Sequence, residues 1–176
     1  MPLPATLPAR STVTLDARVR ARIVHDLLDE GHHLLDVPDA LTLRVTIDRE
    51  AGTLRLDAFP HVEDEVETAI GSVGAVVTVE GQPEGSYDDA TGHVEIDVPL
   101  HLDAQSLLAR DSSAVLTLGS RGSVDEPGLS ATGAPFDGSD SGVCLVGQGT
   151  FEGGSLDGGT LWLVLDATVA DVEEIE

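Results

Sequence analysis

Histidines, a lone cysteine and a group of arginines are the side chains through which this sequence could do chemistry. His25, His32 and His33 stand close together, with Asp26, Asp29, Glu30 and Asp36 among them. Imidazole with carboxylate is a sensible donor set for a transition metal, and a metal held there would point to a metal-assisted hydrolase. Against that, no His-x-x-x-His stands on a predicted helix, and adjacent side chains on a strand point to opposite faces. A solvated polar turn accounts for the same residues. A second candidate is Asp137-Gly-Ser-Asp-Ser-Gly142, which puts oxygens at Asp137, Ser139 and Ser141 and glycine sixth, as in loops that wrap calcium. The twelfth position is Gln148, which lacks the bidentate carboxylate such loops use. Ordinary turn composition explains this stretch as well.

Cys144 lies in the apolar run Gly142-Val-Cys-Leu-Val146. A nucleophilic thiol needs a nearby base and an electropositive setting. Neither is offered by so acidic a chain, and the reading is a small core side chain. Gly-x-Ser-x-Gly, the Walker loop and the dinucleotide fingerprint are all missing, so no cofactor is expected. Gly147-Gln-Gly-Thr-Phe-Glu-Gly153 falls between strands, which is not the strand-to-helix setting of a phosphate loop. Arg18, Arg20 and Arg22 form the one concentration of positive charge. On a strand they share a face with Asp16. They either pair with carboxylates of the same chain across strands or meet an acidic partner, another copy of this protein.

The elements that position these residues are mostly strands. Val13, Leu15, Ala17, Val19, Ala21 and Ile23 alternate with polar residues, a period of two that predicts a long strand to about Val24. A helical turn or loop is expected from there to Asp36. Leu41 to Ile47 and Leu54 to Ala58 form a hairpin about Asp48-Arg-Glu-Ala-Gly52, and Asp88-Asp-Ala-Thr-Gly92 precedes an alternating run from Val94 to Leu102. In both turns Asp can cap through its side chain while Gly supplies positive φ. Val62, Val66 and Ile70 recur every four residues behind Pro60, which predicts a short helix over 61–70. A second short helix is expected from Asp103 to Arg110, with Leu107 and Leu108 packed inward. Later strands follow at 115–118, 143–146 and 161–169. Residues 119–142 read as one long loop, functional or mobile. The expectation is an all-β domain, antiparallel sandwich or barrel, with one or two short helices. It would span 11–170 between an extended arm, 1–10, and an acidic tail, 171–176.

Composition sets the outer limits. The 176 residues hold 32 Asp and Glu against nine basic residues, for a net charge of −23. All nine bases are arginine, and Lys and Asn are missing altogether. Such an excess of negative charge excludes nucleic-acid binding of the basic-patch kind. No apolar run approaches the roughly 20 residues of a membrane helix, and one cysteine cannot make an internal disulfide. At 1 M salt the Debye length falls to about 3 Å, which screens the self-repulsion of such a chain. The balance of acids, with arginine the sole base, resembles that of proteins from extremely halophilic archaea. MPLPATLPAR has neither a basic nor an apolar signal region, so a cytoplasmic location, or a virion, is expected. The arm, the arginine strand and the missing enzyme motifs point to a non-catalytic binding or assembly module that self-associates in a larger complex or virion. The alternative is a carrier that holds a small apolar ligand in a barrel cavity.

Overall fold

The computed structural model describes residues 8–37, 40–69, 71–105, 109–136 and 142–175. Its strands are β1 (Arg10–Val24), β2 (His32–Asp36), β3 (Leu41–Asp48), β4 (Thr53–Ala58), β5 (Val62–Thr68), β6 (Gly71–Val79) and β7 (Glu84–Tyr87). They continue with β8 (Val94–Gln105), β9 (Ser112–Gly119), β10 (Ser123–Glu126), β11 (Leu129–Thr132), β12 (Val143–Glu152) and β13 (Thr160–Glu174). Every described pairing is antiparallel.

The sheet closes on itself. The ring runs β8-β7-β4-β3-β1-β13-β12-β9 and returns to β8, an eight-stranded barrel. Two long strands make it deeper than one hairpin. The first part of β1 pairs with β3 over Arg10–Ala17, and its last part pairs with β2 over Arg20–Val24. Likewise β8 pairs with β7 at Val94–Ile96 and with β6 at Leu100–Gln105. One wall of the barrel is therefore built of two storeys, β3-β4-β7 above and β2 with β5-β6 below. Below, β2 and β5 share no ladder. They meet through the isolated bridge Leu28↔Thr68, the Ala69 N–H donated to the Leu27 carbonyl at 3.1 Å, and a His33–Asp64 contact of 2.7 Å.

The period of two in β1 is what makes it a barrel stave. Val13, Leu15, Ala17, Val19, Ala21 and Ile23 point inward and are all buried. Each large aliphatic side chain fully buried in this way contributes about 1.5–3 kcal/mol. Asp16, Arg18, Arg20 and Arg22 point outward. Apolar inside and charged outside is the reverse of a transmembrane barrel, and among the described residues no helix is long and apolar enough to cross a membrane. The two Asp–Gly turns are built alike and sit side by side on the upper rim. The Asp48 carboxylate accepts the Glu50 and Ala51 N–H groups, and the Asp88 carboxylate accepts that of Ala90. Gly52 and Gly92 take φ of 70° and 77°. Arg49 joins the turns by an ion pair to Asp89 at 2.7 Å.

Several expectations are corrected. Residues 62–68 are a strand, paired along its whole length with β6. A spacing of four is also a multiple of two, so Val62 and Val66 share a strand face as readily as a helix face. The tertiary partner decides. Asp103–Gln105 continue β8 opposite Gly74–Val76, which removes the start of the second expected helix; Leu107 and Leu108 lie outside the described residues. The only described helical element is a single turn, Asp29–Gly31, after which β2 begins. Residues 119–136 are not one loop, because β10 and β11 form a hairpin there. Val124 and Leu129 of that hairpin cover Val146 and Val164 on the outside of the barrel, with Trp162 and Cys144 at the margin of this second small core. Glu173 and Asp171 extend β13 against Thr12 and Thr14.

Candidate functional site

The two ends of the barrel differ. At the upper end the chain after β11 folds back so that Phe136, 2% exposed, fills the interior. Its ring meets Tyr87 edge-on, with centroids 6.4 Å apart at 67°, the arrangement aromatic quadrupoles favour. The Phe136 N–H donates to the Gly92 carbonyl at 3.0 Å, and Ala134 bridges Cys144. This end is plugged. Inside, the described side chains leave wholly apolar spaces, among them two of about 60 Å³ each. One touches Phe136, Leu116 and Leu118; the other lies lower, between Val19, Ile23, Val77 and Phe151.

At the lower mouth of the barrel the described residues line a pocket of about 220 Å³, where β1, β5, β6, β8, β9, β12 and β13 begin or end. Its walls are Leu27, Leu28, Val66, Val73, Ala75, Leu102, Ala104, Ala109 and Leu156, and its polar members are Thr68, Arg110 and Ser155. Two loops clamp each other at its rim. The Arg110 N–H donates to Ser155 Oγ at 2.7 Å, and the Ser155 N–H donates to the Arg110 carbonyl at 3.2 Å. Below them the Leu156 N–H donates to the buried Ser112 Oγ at 3.1 Å. The Thr68 hydroxyl donates to the Gly71 carbonyl at 2.7 Å. The Asp111 carboxylate accepts the Ala104 N–H at 3.0 Å and lies 3.2 Å from His101 Nε2. These contacts, the Ala104 hydrogen bond foremost, hold its pKa below the ordinary carboxylate value. The Arg110 guanidinium makes no ion pair with any described residue, and its side chain is exposed.

The residues singled out by sequence fall elsewhere. His25 Nδ1 accepts the Leu27 N–H at 2.9 Å and its Nε2 lies 3.2 Å from the Asp157 carbonyl. His32 faces the Glu30 carbonyl, while His33 turns to Asp64 on β5. The three imidazoles thus turn to separate partners. Among the described residues no group of three or more His, Cys, Asp or Glu side chains is placed to hold a metal. Asp137, Ser139 and Ser141 lie outside the described residues. On the outer face Arg18 pairs with Asp36 at 3.1 Å, and Arg20 with Asp166 at 3.6 Å. Arg22 donates to the Pro127 carbonyl at 2.8 Å, in the turn between β10 and β11. Exposed pairs of this kind are worth about 0–1 kcal/mol.

Cys144 is half-buried on the outside of β12, opposite Asp166. Burial first, and then the Asp166 carboxylate, push its thiol up to about 12, which suits packing and not nucleophilic attack. Gly147 is no phosphate cradle. A Cβ there would stand 1.8 Å from the Thr117 carbonyl oxygen, so the residue lets β12 and β9 coil closely. The mouth was not legible beforehand, since its lining comes from seven strand ends and Arg110 is the one charged group on it. Comparison with protein-family models, with curated proteins and with solved structures returns no match for this chain.

Proposed function

We propose that this chain is a non-catalytic β-barrel binding module that takes up a small apolar ligand at its lower mouth. The observation that carries this reading is the apolar pocket of about 220 Å³ at the lower end, opposite an end sealed by Phe136 and Tyr87. Barrel mouths are favoured places for ligands, and eight strands leave an interior just wide enough for side chains or one small molecule. Size limits the ligand. An engineered apolar cavity of about 150 Å³ takes up benzene, while drug-sized sites start near about 300 Å³. The interior spaces of about 60 Å³ are too small to share the load, so the ligand sits in the mouth.

Self-association draws less support. Of Arg18, Arg20 and Arg22, the residues expected to reach a partner, the first two pair with Asp36 and Asp166 of the same chain and the third donates to the Pro127 carbonyl. Among the described residues the exposed large apolar side chains, Leu34, Val115 and Val172, stand on three different strands. Titration calorimetry with 1-octanol tests the carrier reading, with native mass spectrometry for stoichiometry. One molecule per chain is expected, and Ala75→Phe, which fills the lining, abolishes binding. No binding up to about 1 mM, only about 4 kcal/mol of affinity, overturns the proposal.

A further inference from the structure

Resting on that reading, we infer that the ligand of the mouth is a small amphipathic monocarboxylate, its chain on Leu28, Val66, Ala75 and Leu156 and its carboxylate on Arg110. The polar groups of the site decide the head group by elimination. Thr68 donates its hydroxyl to Gly71, and Ser155 Oγ already holds the Arg110 N–H. Asp111, the carboxylate next in sequence, is directed at the Ala104 N–H and His101 and not at its neighbour. What remains is Arg110, a lining residue of an apolar pocket, whose exposed side chain makes no ion pair with any described residue.

A guanidinium presents fixed, paired donors that match the two oxygens of a carboxylate. In a chain of net charge −23, where Arg10, Arg18, Arg20, Arg49 and Arg55 each pair with an aspartate, a guanidinium left over beside an apolar hollow marks the sign of what belongs there. A single cation suits a single negative charge, and the surrounding field disfavours dianions. The volume of about 220 Å³ confines the chain to short or medium length.

The test compares octanoate, 1-octanol and octylamine on the full chain and on Arg110→Gln, in salt high enough to screen the net charge. Arg110 is exposed, so the variant is expected to fold, and its melting curve checks this. Octanoate is expected to bind the native chain most tightly and octylamine least. Arg110→Gln should weaken octanoate by about tenfold or more, the worth of a charge-assisted hydrogen bond, and leave octanol within about twofold. If octanoate and octanol bind alike and the variant changes neither, the carboxylate assignment falls while the apolar carrier stands. If none of the three binds the native chain, both fall together.

Discussion

Phe136→Ala tests whether the plugged end is what closes the barrel. Replacing a buried Phe by Ala costs about 3–5 kcal/mol, part transfer and part cavity. The position of Phe136 selects the upper part of that range. Its ring abuts an existing apolar space of about 60 Å³, so truncation enlarges a void. The wall around it is a hydrogen-bonded ring of strands that cannot fold inward. The segment that carries it is tied down at the Gly92 carbonyl and by the bridge from Ala134 to Cys144. The edge-on contact with Tyr87 is lost as well, a further contribution of about 0.5–1.5 kcal/mol. A loss of about 5 kcal/mol follows. With an m value of about 2 kcal/mol per molar, the urea midpoint falls by about 2.5 M. Urea unfolding followed by far-ultraviolet circular dichroism reads this directly. Benzene offers a second reading, because it fits the space the phenyl group leaves and should raise the variant's midpoint more than the native one. A loss under about 1 kcal/mol, or equal benzene effects on both proteins, would refute the placement of Phe136 inside.

Two further expectations concern titration. The Cys144 thiol, raised from an ordinary 9.0 to about 12, holds about a thousandfold less thiolate at pH 8 than an unfolded chain, and alkylation by iodoacetamide should slow in that proportion; labelling at the unfolded rate in the folded protein refutes the packing under β10 and β11. Burial, and then Arg121, lower the His93 pKa from 6.5. The folded state therefore declines a proton that the unfolded chain accepts, and stability falls as the pH drops through about 6.5. His93→Gln should flatten the slope of stability between pH 7 and 5, and an unchanged slope removes His93 as its source. The lowered carboxyls of Asp88 and Asp111 act in a separate window, their contribution being lost as the pH falls below the ordinary 3.8.

How much of this was legible depended on whether one strand carried its own signal. In β1, β3 and β8 one face is apolar and the other polar, and the alternation alone places them. The Asp48 and Asp88 turns were legible for the same reason, since the cap and the positive-φ glycine are neighbours in sequence. In β5, Val62 and Val66 fit both periods, and only the ladder to β6 separates them. In β10 and β11, Val124 and Leu129 are too few to show a period among Ser, Gly and Asp. The ring closes through the β8–β9 pairing, between neighbours in the chain that a sandwich would also place side by side, so the sequence does not separate the two. That closure comes from the coiling of strands, to which Gly147 contributes by close approach, and no local pattern reports coiling.

The site was hidden for a related reason, and the arginines show it. As a sequence feature Arg18, Arg20 and Arg22 stand out because they are clustered, yet the strand face that gathers them brings Arg18 to Asp36 and Arg20 to Asp166 on neighbouring strands and Arg22 to the Pro127 carbonyl. In so acidic a chain most guanidiniums find a carboxylate close by. The informative arginine is then the one that does not, and it is identified by its surroundings alone. Arg22, Arg44 and Arg121 also lack an ion pair among the described residues, but Arg22 donates to the Pro127 carbonyl, Arg44 stands on the outer face of β3 and Arg121 lines a hollow with Glu95. Arg110 alone combines a free guanidinium with an apolar hollow, and it does so because the β8–β9 and β12–β13 loops meet at Ser155. Charge in this protein therefore informs through the pairs left unmade, and those are set by closure of the barrel.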